Sequence, residues 1–144
     1  MRFSSRLPVA THILLCIALL GHEHKTTSTF LAGSVGVNPV IVRNVLGQLK
    51  AAGIVTVEPG VGGASLARAP EQITLLDVFH AVEERESLFR FHDNPNPECP
   101  VGRNVHAVLG KSLAAVDDAM EAQLATTTLA DLMDATTRRE AARD

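Results

Sequence analysis

The chain has 144 residues, 46% of them hydrophobic, which suits one ordinary domain or a compact head with an extension. Two cysteines, with no Trp and no Tyr, exclude a disulfide framework and a four-cysteine zinc site within one chain and fit a reducing, cytoplasmic setting. The net charge of −3 hides a split: residues 1–68 carry six basic side chains (Arg2, Arg6, Lys25, Arg43, Lys50, Arg68) against Glu23 and Glu58, and the remainder carries seven against fourteen, so a half of charge +4 that can approach phosphate is joined to one of −7 that phosphate repels.

Arg2 and Arg6 precede an apolar run, Leu7 to Leu20, with the outline of a secretory signal. His12 interrupts the run, no Ala-x-Ala site follows at the right distance, and fourteen residues are too few to cross a bilayer, so a buried helix ending at Gly21 is expected, with Pro8 in its first turn. His22–Thr26 reads as a loop. Its His22-Glu23-His24 triplet offers two imidazoles to a metal but no third ligand, and a solvated surface loop is the simpler reading. Thr27 or Ser28 then caps a short second helix that carries Phe30, Leu31 and Val35 inward and stops at Gly36.

Asn38-Pro39 is a strong helix start, with Asn as the cap and Pro at the first helical position, and the helix runs to Ala52 before Gly53. Val42, Val45, Leu46 and Leu49 form its buried stripe. Two helices separated by a tight glycine turn, the second sharply capped, make a helix-turn-helix unit. Ile54–Val57 alternates like a strand, Glu58–Ala64 is a Gly/Pro-rich turn, and Ser65–Arg68 returns as a second strand, which together predict a β-hairpin wing. The turn is no nucleotide phosphate loop, because it lacks the Gly-Lys-Ser/Thr ending and the helix that should follow.

Thr74 with Asp77 three residues on opens a further helix to about Glu84, whose apolar face holds Leu75, Leu76, Val78, Phe79 and Val82. Leu88, Phe89 and Phe91 cluster ahead of a loop, His92 to Pro97, as core under the linker or as the lining of a small-ligand pocket. Cys99-Pro100 reads as the cap and first turn of a long helix to about Ala125, with Val101, Val105, Val108, Leu109, Leu113, Val116, Met120 and Leu124 along one side, a stripe that needs a partner. A last helix spans about Leu129–Ala142 and offers Leu129, Leu132 and Met133. The expected architecture is mainly α with a small β-hairpin: a winged helix-turn-helix domain at 1–84, a linker and possible sensor loop at 85–98, and a dimerising helix with a C-terminal helix at 99–144.

In its order of elements the chain resembles the Rrf2 family of bacterial winged-helix regulators over nearly its whole length. The residues that carry the resemblance are Leu49-Lys50-Ala51-Ala52-Gly53-Ile54-Val55 at the end of the third helix, the wing from Pro59 to Arg68, and Ile73-Thr74-Leu75-Leu76-Asp77-Val78 with Ala81-Val82-Glu83. The resemblance implies a homodimer joined through the long helix, two heads in successive major grooves of double-stranded DNA, an inverted-repeat operator, and repression as the usual mode. In such a fold Asn38, Val40, Arg43 and Asn44 are candidates for base readout, Arg43 suiting guanine and Asn44 adenine. A solvated face is the plain alternative for both. Lys25, Thr27, Ser28 and Thr29, with Arg2, Ser4 and Arg6, are candidates for phosphate contact, and Gly60, Gly62, Gly63 and Arg68 for approach of the wing to the minor groove. Glu58 and Val61 depart from the family pattern, which commonly has basic residues there.

Members that hold an iron–sulfur cluster place three cysteines between the wing domain and the long helix, whereas this chain has Cys99 alone; Cys16 lies mid-helix on the apolar side, and His92, Asp93 and His106 are the only supplements at hand. No cofactor is therefore expected. Cys99 is either a redox-sensing thiol favoured by a helix N-terminus and Arg103 or simply a helix cap. These features fit a DNA-binding regulator, repression being what the resemblance implies, with a protein-binding regulatory module of the same fold and an iron–sulfur-dependent sensor-regulator as the alternatives. No nucleophile with a base, no paired carboxylates and no cofactor fingerprint point to an enzyme.

Overall fold

The computed structural model describes residues 4–60, 62–84 and 87–143. Helix α1 (Arg6–Leu20) leads to α2 (Ser28–Val35) and α3 (Pro39–Ala51), then to the strands β1 (Val55–Glu58) and β2 (Gly63–Leu66), a 3-10 turn (Pro70–Gln72), α4 (Leu75–Val82), the long α5 (Val105–Leu124) and α6 (Leu129–Ala141). Among these residues no single helix is long and apolar enough to cross a membrane.

The local signals act where they stand in the sequence. The Thr27 hydroxyl accepts the Phe30 N–H at 3.2 Å, and Gly36 closes α2 in the left-handed conformation at φ 80°. Asn38 accepts the Val40 N–H at 2.9 Å with Pro39 behind it, and Gly53 follows α3 at φ 75°. Thr74 and Asp77 form a reciprocal capping box.

One core joins these elements. Ala10, Ile13, Leu14, Cys16 and Ile17 of α1 are buried against Leu31 of α2, Val42, Val45, Leu46 and Leu49 of α3, and Val78 and Val82 of α4. Each such large aliphatic side chain contributes about 1.5–3 kcal/mol by leaving water. Leu129, at the start of α6, is also buried in this core, so the last helix returns to the head. Phe30, Val35, Leu75, Leu76 and Phe79, expected on inward faces, are half-buried, Phe30 and Val35 against the margin of this core.

Two elements differ from expectation. The two four-residue strands are shifted towards the turn, which is shorter, because Glu58 pairs with Gly63 and Val55 with Leu66. A tie that no local pattern signals holds this register: buried Thr26 donates its hydroxyl to the Ala64 carbonyl at 2.6 Å, while its own carbonyl accepts the Ala64 N–H at 3.1 Å. The long helix starts at Val105 rather than at Cys99-Pro100. Gly102 folds against the backbone of Asn96, and the Asn104 side chain takes the Pro100 carbonyl at 2.7 Å, so residues 97–104 form successive turns instead of a first helical turn.

Helix α5 buries none of its residues: Val108 is 69% exposed, and Leu109 and Val116 are each 41% exposed. Two polar ties hold it, from His80 of α4 to Glu121 at 3.1 Å and from the linker, where the Leu88 N–H donates to Asp117 at 2.9 Å. In the linker, Phe91 packs on the His106 ring at 4.7 Å, while Phe89 stays exposed, so Leu88, Phe89 and Phe91 do not close into a buried cluster.

Candidate nucleic-acid interface

The axes of α2 and α3 bend by 109° across the Gly36 turn, within the range of a helix-turn-helix. The exposed positions Val40, Asn44, Gly47 and Ala51 recur at helical spacing opposite the buried stripe of Val42, Val45, Leu46 and Leu49, and Ile41 and Arg43 flank them. No Asp or Glu occurs from His24 to Val57, so the only charged residues on this stretch are Lys25, Arg43 and Lys50.

Arg43 and Asn44 are exposed, and among the described residues neither side chain has a hydrogen-bond or ion-pair partner. Asn38 is exposed but spends its carbonyl oxygen on the cap of α3. Lys25 and Thr29 are exposed beside the start of α2, Ser28 is half-buried there, and the Thr27 hydroxyl is engaged as the cap. Lys25, Thr27, Ser28 and Thr29 thus stand at the start of α2 and Asn38 and Val40 at the start of α3, where helix N–H groups favour an anion, while Arg43 and Asn44 lie further along α3.

The wing is put together differently. A side chain at Gly62 would collide with Glu58, and one at Gly63, which has φ 94°, would meet the Thr26 backbone at 3.2 Å. These two glycines serve the packing of the hairpin, and exposed Gly60 stands at its turn. Arg68 is half-buried and lies 3.9 Å from Asp77. Val61 and Arg2 lie outside the described residues.

Arg6 corrects the phosphate reading. Its Nε donates to the Val82 carbonyl at 2.9 Å and its guanidinium reaches the Gln48 side chain, while the Leu7 N–H donates to the Glu83 carboxylate. Arg6 thus clamps the end of α4, where a helix C-terminus favours a cation, and ties it to α3. Ser4 remains exposed and accepts the Arg6 N–H. Sequence reasoning also passed over Ile41, whose only signal is an aliphatic residue off the buried stripe, and Thr26, which has none.

Cys99 is half-buried in the turns before α5, six positions short of the helix, so the dipole of α5 is not what acts on it. The backbone N–H groups of Gly102 and Val101 hold its thiol below the ordinary value of 9.0. Arg103 points instead at the Pro97 and Glu98 carbonyls. Cys16 is buried against Ser34. His24 of the exposed triplet stacks on Phe30 at 5.1 Å.

A family profile described as iron-dependent transcriptional regulator, Rrf2, matches residues 3–135. YwnA of Bacillus subtilis, a candidate HTH-type transcriptional regulator, is 46% identical over 130 residues, covering 90% of this chain and 96% of its own. A crystal structure of a candidate DNA-binding protein is 42% identical with a TM-score of 0.72, over 90% of this chain and 99% of that one. A candidate transcriptional regulator from Lactobacillus plantarum is 25% identical with a TM-score of 0.80, over 92% and 90%. The iron centre that the family description implies does not fit the donors of one chain: Cys16 is core, Cys99 stands apart from it, the His106 Nε2 is engaged on the His92 carbonyl, and among the described residues no three His, Cys, Asp or Glu side chains converge.

Proposed function

The chain belongs to the Rrf2 family of transcriptional regulators, and from that premise we propose that it is a dimeric, sequence-specific DNA-binding repressor that acts in the bacterial cytoplasm on an inverted-repeat operator. The observation that carries this reading is Arg43 and Asn44 on the exposed face of α3, unengaged among the described residues and within a stretch free of acidic residues. Arg43 and Asn44 read bases, with Asn38 and Val40 beside them; Lys25, Thr27, Ser28 and Thr29 set the register on phosphates; and the wing with Gly60, Gly62, Gly63 and Arg68 lies along the minor groove. The division into a head at 1–84, a linker at 85–98 and a dimerising region at 99–144 belongs to the same proposal, with α6 returning to the head.

Cys99 adds a redox arm to the reading, supported by the two backbone N–H groups that favour its thiolate. The test is a gel shift of the purified protein on its own upstream DNA at two salt concentrations, with and without a mild oxidant. Specific binding that is lost on oxidation and retained by Cys99→Ser supports a thiol-switched repressor. Specific binding indifferent to oxidant leaves the repressor and removes the switch. Absence of specific binding at either salt moves the reading to a protein-binding module of the same fold.

A further inference from the structure

Two β-branched aliphatic side chains stand in solvent in the first turn of α3: Val40 is 53% and Ile41 is 43% exposed. The core does not use this pair, since Val42, Val45, Leu46 and Leu49 already fill the inward stripe. Val40 lies one helical turn before Asn44 on the same face, and Gly47 follows without a side chain, so this face is low enough for the helix backbone to come close to a surface laid against it. Arg43 and Asn44 select hydrogen-bonding base edges, but an aliphatic side chain cannot. In the major groove the apolar group on display is the C5 methyl of thymine.

We propose that Val40 and Ile41 read thymine through its C5 methyl, so that each operator half-site carries thymine beside the bases that Arg43 and Asn44 select. The inference rests on the DNA-binding reading above and adds to it the base class that this pair recognises. Burying a methyl group against an aliphatic side chain gives a contribution small enough to be lost cleanly and large enough to be measured, about fourfold in affinity for each methyl.

The probe is a duplex selected from a random pool by the wild-type protein, with each thymine replaced in turn by deoxyuridine, which removes the methyl and keeps the base pair. Affinity should fall about fourfold at one or two positions in each half-site. Val40→Ala and Ile41→Ala should each narrow the difference between the thymine and uracil forms at the position it reads, whereas Arg43→Ala should bind more weakly and keep the full thymine preference. Both aliphatic side chains lie outside the core, so the circular dichroism spectrum and urea midpoint of the variants should match wild type. Specific binding with no uracil-sensitive position, or a preference undiminished in both alanine variants, overturns the inference and leaves the regulator intact; such a result fits an apolar contact to a protein partner. Failure to select any sequence overturns the DNA-binding reading and this inference with it.

Discussion

Thr74 and Thr128 face each other across an isolated antiparallel bridge, and each caps the helix that begins just after it. The Leu75 N–H donates to the Thr127 carbonyl at 3.0 Å, and the Leu129 N–H to the Ile73 carbonyl at 2.8 Å. The two capping boxes have the same form: Thr74 with Asp77, and Thr128 with Asp131, exchange paired bonds of 2.9–3.1 Å. The starts of α4 and α6 thereby satisfy each other's backbone, and Leu129 is delivered to the core.

Thr128→Val keeps the β-branched shape and removes the hydroxyl that accepts the Asp131 N–H. It should cost about 1 kcal/mol, read as a lower urea midpoint with an unchanged slope. Thr74→Val should cost a similar amount. Because the two caps share a bridge, the double variant should depart from the sum of the singles. A wild-type midpoint for Thr128→Val would mean that the cap adds nothing to the backbone bridge and the packing of Leu129 and Met133.

Gly60 and Gly63 both have positive φ, but only Gly63 lies against another segment, the backbone of Thr26. Gly60→Ala should cost about 1 kcal/mol for the left-handed conformation alone. Gly63→Ala carries the same backbone cost and also displaces the tie between Thr26 and Ala64, so it should cost more, about 2–3 kcal/mol. Urea unfolding of the two variants side by side tests the order; equal costs would show that the hairpin yields freely at Thr26.

What the sequence makes legible follows from how local each cause is. Thr27, Gly36, Asn38-Pro39 and the box of Thr74 with Asp77 act within four residues of themselves, and the structure has each where the pattern puts it. The bonds from Arg6 to Gln48 and Val82 and from Thr26 to Ala64 span 42, 76 and 38 residues, and none has a signature in its neighbourhood. Arg6 therefore read as a phosphate ligand when it is a clamp. Cys99-Pro100 misled in the opposite way: the local signal for a helix start is present, but closure of the loop on Gly102 and the turn of the Asn104 side chain to Pro100 delay the helix to Val105. The face of α3 was legible because its buried stripe is regular, which leaves Arg43 and Asn44 outside by elimination.

Arg43 and Lys25 should separate specificity from affinity. Arg43→Ala removes a side chain with no partner among the described residues, so it should leave stability unchanged, weaken the selected site by about 1–3 kcal/mol and relax preference at one base position. Lys25→Ala should weaken all duplexes alike and lower the salt slope by about one unit. Competition titrations at several salt concentrations distinguish the two; a uniform loss for Arg43→Ala would make it a phosphate contact.

The thiol of Cys99 is predicted to titrate below its ordinary value of 9.0, because Gly102 and Val101 donate backbone N–H groups to the thiolate. A group whose folded value is lowered stabilises the fold at pH above the unfolded value, and that contribution is lost as pH falls through the folded value. The rate of iodoacetamide labelling at Cys99, followed by mass spectrometry against pH, should therefore rise and level off at lower pH than for the same cysteine in the urea-unfolded chain. Buried Cys16 should stay unlabelled until the protein unfolds. Coincident profiles in the folded and unfolded chains would remove the basis for a sensor at this position.

The exposed apolar residues of α5 make the proposed dimer testable without disturbing the head. Val108 and Val116 lie on a helix that buries none of its residues, so placing charge there costs the monomer little, whereas the same charge buried in an interface without a partner is strongly destabilising. Sedimentation should find the wild type as a dimer and the variant carrying both Val108→Glu and Val116→Glu as a monomer with unchanged helix content. On the proposed operator of two half-sites the monomer would present a single α3, so its affinity for the full site should fall to that for one half-site, while its preference at the bases assigned to Arg43 persists. A variant that remains dimeric would place the interface elsewhere, and a monomeric wild type would require that one head binds alone.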